Sequence, residues 1–158
     1  AKNKVPLTEI LGGSEAYILR LFLKTQPRVP GHTLEHPKRV SRFEALRGFF
    51  ENHYEFMREK SHMEGPLKLL QYSVSESPEW KNDGTFIAGP AHSFEGKFPE
   101  KTGRTIFVLS EIYENENGLH HHFIESKDFV SKFDSMITTY NLECMSLNQM
   151  KVIQSLWD

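Results

Sequence analysis

Apolar and polar positions change their period several times along the chain, and the changes divide it into elements. Ala16 to Lys24, "AYILRLFLK", is rich in β-formers and aliphatics and short enough for a buried or half-buried strand. Gln26 to Lys38 carries three prolines, a glycine and two histidines and reads as a loop. Ser41-Arg-Phe-Glu44 then forms a capping box, in which hydroxyl and carboxylate satisfy orphan amides at a helix start. At about 100° per residue, Phe43, Leu46, Phe50, Tyr54 and Met57 share one face of that helix, and Glu44, Glu51, Glu55 and Glu59 turn away. Gly65-Pro66 is the expected stop.

Leu67 to Ser75 and Thr105 to Tyr113 read as the second and third strands. Between them, Glu76 to Arg104 holds Trp80, an Asn82-Asp-Gly84 turn, Gly89-Pro90 and Pro99. A loop of this length is either a lid or partner-binding arm, or a solvated insertion with a short strand at Thr85-Phe-Ile87. A second helical region runs from about Glu116 to Tyr140. It breaks at Ser126-Lys-Asp128, where Ser126 can cap a segment carrying Phe129, Phe133 and Met136. The tail, Leu142 to Leu156, holds one or two strands around Asn148-Gln149. The order β-α-β-β-α-β predicts one α+β domain over residues 1–158, with its core between about 16 and 156. It implies a ferredoxin-like antiparallel sheet with helices on one face.

Composition narrows the partners. The chain has 158 residues, 38% hydrophobic and 25% charged, which suits one core-forming domain. Nineteen basic against 21 acidic residues leave no basic stripe, so neither nucleic acid nor an anionic membrane is the expected partner. No apolar run approaches the roughly 18 residues that span a bilayer. Cys144 is the single cysteine, so no intrachain disulfide forms, which suits a reducing cytoplasmic setting. A removed targeting segment would make it an organelle instead.

The chemistry centres on Asn117 to Ser126, "NGLHHHFIES", with three adjacent histidines. Successive helix residues point about 100° apart, so the three imidazoles cannot meet on one metal from a regular helix. No helical His pair at i, i+4 supplies a zinc motif either, and no metal is expected. Only His122 shares the face of Leu119, Phe123 and Ser126; His121 points nearly opposite and His120 lies between. Two readings of His122 stay open: a core histidine satisfied by hydrogen bonds, or a pocket base. His53 sits at the edge of the first helix's apolar face and reaches the same interior, more readily as a structural group. Tyr72 and Trp80 are candidates to position an aromatic ligand, and His92 in the long loop is a candidate lid residue. Phosphate loops, G-x-S-x-G elbows and H-E-x-x-H helices are lacking.

Residues 111 to 133, "EIYENENGLHHHFIESKDFVSKF", resemble the signature of the antibiotic biosynthesis monooxygenase-like family. The pattern is a strand ending Glu-x-Tyr, an acidic or amide turn, a small-residue helix start, Leu-x-x-His and a later aromatic. Glu111, Tyr113, Asn115, Leu119, His122 and Phe129 take those places. Glu55-Phe-Met57, Glu64-Gly65 and Leu69-Leu-Gln-Tyr72 are similar to the family's first helix entering its second strand. The 26–38 and 76–104 segments exceed the family's compact pattern, and His122 to Phe129 is one residue longer. The resemblance implies a homodimeric α+β barrel with a cavity between sheet and helices, the last strand reaching toward the partner. It also implies a cofactor-independent monooxygenase or isomerase acting on a small aromatic or enolisable molecule, with His122 as the base. Haem degradation, known among relatives, is a lesser branch, because its Asn, Trp and His triad is not recognisable. The alternative is a non-catalytic dimeric module that binds a ligand or a protein.

Overall fold

The computed structural model describes residues 17–27, 41–61, 67–81 and 100–151. Four strands and three helices follow in chain order: β1 (Tyr17–Lys24), α1 (Arg42–Ser61), β2 (Leu69–Trp80), β3 (Lys101–Tyr113), α2 (Glu116–Glu125), α3 (Lys127–Tyr140) and β4 (Glu143–Lys151). The sheet order is β2-β3-β1-β4 with every pair antiparallel, the arrangement of a ferredoxin-like split βαβ fold.

The central strands show why the helices cover one face. Leu19 and Leu23 on β1 alternate with Arg20, and Phe107, Leu109, Glu111 and Tyr113 alternate along β3. Every second side chain of a strand points to the same side, so these residues form one inward row. Leu46, Phe50 and Met57 of α1 and Leu119 of α2 close over that row, and all are buried. No described helix is long and apolar enough to cross a membrane.

Local chemistry fixes the ends. The Ser41 hydroxyl accepts from the Glu44 amide at 3.2 Å and the Glu44 carboxylate accepts from the Ser41 amide at 3.0 Å, forming the expected capping box. Asn115 caps α2 by accepting from the Gly118 amide at 3.0 Å. Asn141 ends α3 in the left-handed conformation, with φ of 49°. Gly118 is required by contact: a Cβ there would stand 2.1 Å from the carbonyl oxygen of Leu67.

Several expectations need correction. Tyr54 is 45% exposed, and His53 takes its place in the buried row Leu46, Phe50, His53, Met57. The row thus advances by four, three and four residues, a rotation too small to separate by periodicity alone. Ser126 stands at the N-cap of α3, but its side chain makes no cap hydrogen bond there; its hydroxyl donates back to the His122 carbonyl at 2.6 Å. The hairpin arms run longer than predicted: β2 extends to Trp80 and β3 begins at Lys101, so both ends of the expected 76–104 loop are paired strand. Pro78 is tolerated there because β2 is an edge strand and the register shifts beside it. Within the described part of the tail, β4 is one strand with a bulge: Arg20 pairs with Leu147 and Ile18 with Met150, which puts Asn148-Gln149 at the irregularity, and residues 152–156 lie outside the described residues. The Gly65-Pro66 stop, the Thr85–Ile87 strand and the 28–38 part of the first loop lie outside the described residues.

Candidate functional site

Four elements bring ionisable side chains to one point. The alternation of β3 aims Glu111 at the helices, its carboxylate wholly buried. Tyr72 lies directly across from it on β2. His53 descends from α1 and His122 from α2, with 4% and 5% exposure. His120 and His121 are exposed, so helical geometry selects one inward histidine of the three, as expected.

His53 Nε2 lies 3.9 Å from Glu111 Oε1, and His122 Nε2 lies 3.7 Å from Glu111 Oε2. His53 Nδ1 and the Tyr72 hydroxyl are hydrogen-bonded at 2.9 Å. The Tyr113 hydroxyl donates to Glu111 Oε2 at 2.6 Å. Glu111 Oε1 and His122 Nδ1 are buried without a hydrogen-bond partner among the described residues. Aromatic rings surround the cluster: Phe129 meets His53 edge-on at 5.2 Å, Phe49 stacks on it at 6.2 Å, and Tyr113 lies 5.8 Å from His122.

This apolar setting controls protonation. Burial, and then the neighbouring His122, push His53 down to about 3; burial alone pushes His122 down to about 4. Burial pushes Glu111 up to about 7, opposed only by the Tyr113 hydrogen bond. Burial, followed by the charge of Glu111, raises both Tyr72 and Tyr113, so the phenols stay protonated. The distances would admit ion pairs, but desolvation disfavours imidazolium here. Near pH 7 the cluster holds two neutral imidazoles and one carboxyl close to half-ionised.

The histidines form part of the wall of a cavity of about 290 Å³ lined by Leu19, Leu21, Leu109, Phe123, Phe129 and Phe133, with Cys144 on β4. Phe123, expected inward, is 38% exposed at this wall. Burial, and then Asp134, raise the Cys144 thiol, which keeps it protonated. A second groove of about 660 Å³ between α1 and α3 shares Phe49 and Phe129 with the cavity, and Lys132 is among its other lining residues.

Of the residues singled out from sequence, His122, His53 and Tyr72 meet here. Trp80 does not: it lies at the other end of β2, eight residues from Tyr72 and so about 25 Å along the strand, with Lys101 over its ring. His92 lies outside the described residues. Sequence reasoning left the direction of Glu111 open. The inward row Phe107, Leu109, Tyr113 was the signal that resolves it, because Glu111 occupies the same parity. The expectation of no metal came from spacing within one helix, and it does not extend to ligands drawn from three elements.

No family model and no curated protein matches the chain. Among solved structures, it is similar to a dimeric ferredoxin-like protein from an uncultured marine organism, at 8% identity and a TM-score of 0.48, over 90% of this chain and 100% of that one. A hydantoinase/carbamoylase family amidase from Burkholderia vietnamiensis gives 8% identity and 0.48 over 88% of this chain. A de novo designed protein, Foldit4, gives 7% and 0.40 over 86%. The chain spans only 28% of the amidase. The ferredoxin-like architecture stands on the strand order above, whereas the antibiotic biosynthesis monooxygenase-like family itself is matched by no model. What the cluster does must be argued from this chain's own residues.

Proposed function

We propose that the cavity binds a small aromatic or enolisable molecule and that the cluster in its wall takes a proton from it. The product is an isomer, or an oxygenated compound if the electron-rich anion meets O2. The observation that carries this reading is the placement of His122 in the wall of an apolar cavity with the Glu111 carboxylate 3.7 Å behind it. A neutral imidazole can accept the proton, and the ionised carboxylate offsets the cost of forming imidazolium in a dry site. His122 is the base, Glu111 positions and charges it, and Tyr72 holds His53 against the same wall.

Because Glu111 ionises near 7, turnover of quinol or anthrone-type probes should rise with pH through that value. His122→Ala should lower kcat/KM by about 100-fold or more while the circular dichroism spectrum is kept. Tight binding of the same probes with no turnover at any pH would instead support a non-catalytic binding module. Met145 and Leu147, 53% and 37% exposed on edge strand β4, suit a second copy of the chain, so we also propose a homodimer. Light scattering that finds a monomer at micromolar concentration would remove that part.

A further inference from the structure

We propose that His53, Glu111 and His122 form a three-ligand site for one divalent transition-metal ion of the zinc or iron(II) class. One donor atom from each residue lies within 4.8 Å of the others. Zinc holds nitrogen and oxygen at about 2.0–2.2 Å, which sets its ligand atoms about 3–3.5 Å apart. The 3.9 Å from His53 Nε2 to Glu111 Oε1 is a few tenths wider, whereas His122 Nε2 stands 3.7 Å from Oε2, so side-chain rotation must bring the three donors in from within 4.8 Å of one another. Two imidazoles and a single carboxylate favour a borderline transition ion over calcium or magnesium, which prefer oxygen.

An unpaired atom points the same way. Glu111 Oε1 is buried with no hydrogen-bond partner among the described residues, although buried polar atoms are normally satisfied. A hydrogen-bonded core cluster explains Tyr72 on His53 and Tyr113 on Glu111 Oε2, but it leaves Oε1 without purpose. A cation uses Oε1. The two tyrosines then form the outer shell that orients ligands, one on the far nitrogen of His53 and one on the far oxygen of Glu111.

Three protein ligands leave further coordination positions open, as in catalytic rather than structural sites. His53 and His122 also belong to the cavity wall, so both an ion and a small molecule have access. When bound, such an ion supplies Lewis acidity to the oxygen of an enolisable ligand. That role rests on the enolisable ligand proposed above, with the bound ion taking over from His122 as the activating group, whereas ion binding itself does not and is measured without substrate.

The test is a Co2+ titration of the chelator-stripped full chain, followed by ligand-field absorption, with Zn2+ as competitor. The expected result is one equivalent per chain, displaced by Zn2+. Affinity should fall by about 100-fold or more in Glu111→Gln and by about 10-fold in Tyr72→Phe, since outer-shell losses run to ~10–100-fold. The double variant His120→Ala/His121→Ala should bind as the parent does. Absent saturable binding overturns the site. So does binding that survives Glu111→Gln and disappears in the double variant, which would assign it to the exposed histidines. If Glu111→Gln does not fold, His53→Gln is read in its place. Turnover in metal-stripped protein with no Co2+ binding sinks this proposal and spares the proton-transfer reading; binding with no turnover does the reverse.

Discussion

Glu111 and Glu79 sit on neighbouring strands of one sheet, near its opposite ends, and their surroundings differ in almost every respect. Glu79 receives Lys24 at 2.6 Å and the Thr102 hydroxyl at 2.9 Å, with Arg104 at 3.9 Å. The Lys24 hydrogen bond foremost, with help from Thr102 and Arg104, holds its carboxyl below the usual range. Glu111 is wholly buried, meets no cation among the described residues, and has one hydroxyl donor. The first glutamate belongs to a part-buried network of several partners, so it tolerates the loss of one. The second occupies a core position with a single hydroxyl donor, and that setting is the ground on which we propose it as part of a functional site.

Acid should separate the two regions most strongly. His53 and His122 have folded values of about 3 and 4 against an unfolded value near 6.5. As pH falls below 6.5, the unfolded chain takes up two protons that the folded one refuses, so stability drops. Glu111 acts oppositely: its folded value of about 7 exceeds the unfolded 4.5, and its contribution is lost as pH rises through 7. The cluster therefore places the stability maximum near pH 6.5–7. The acid-side loss by pH 4 should be on the order of a few kcal/mol. Denaturant midpoints across pH measure it, and Glu111→Gln should steepen the acid side between about pH 4.5 and 7, where the Glu111 contribution offsets part of that of the histidines. An unchanged limb between pH 4.5 and 7 in that variant would mean that Glu111 is already ionised in the folded chain.

The hydroxyl donors give a smaller contrast. Tyr113→Phe removes the sole hydrogen bond to a buried carboxyl and should cost about 1–3 kcal/mol. Thr102→Val, at the part-buried end, removes one donor among several and should cost less than about 1 kcal/mol in the same urea titration. The smallest effect is expected from Glu79→Gln, at most about 1 kcal/mol and shrinking with added salt. A larger, salt-independent loss would show that this end is as dry as the other.

The fold was legible because each element announces itself locally. The capping box of α1, the aliphatic run of β1 and the alternation of β3 need no tertiary knowledge. The inward turn of His122 was legible too, since it follows from one helix's geometry. Glu111 was not, because a charged residue reads as a surface position until its neighbours' parity is placed in a sheet. His53 stood at the edge of its helix face, and a turn of that face by roughly 20–30° decided between it and Tyr54. The ends of the hairpin were hidden by Pro78, which reads as a strand breaker although an edge strand accepts it.

Gly118 never touches the cluster, yet it governs its aperture. Its missing side chain lets the start of α2 rest against the carbonyl of Leu67, one turn before His122. Any larger residue would lift that end of the helix and carry the imidazole away from β3. The separation of His122 from Glu111 is therefore adjustable from a position outside the site, so that relatives of this chain could retune its chemistry without altering a single reactive group.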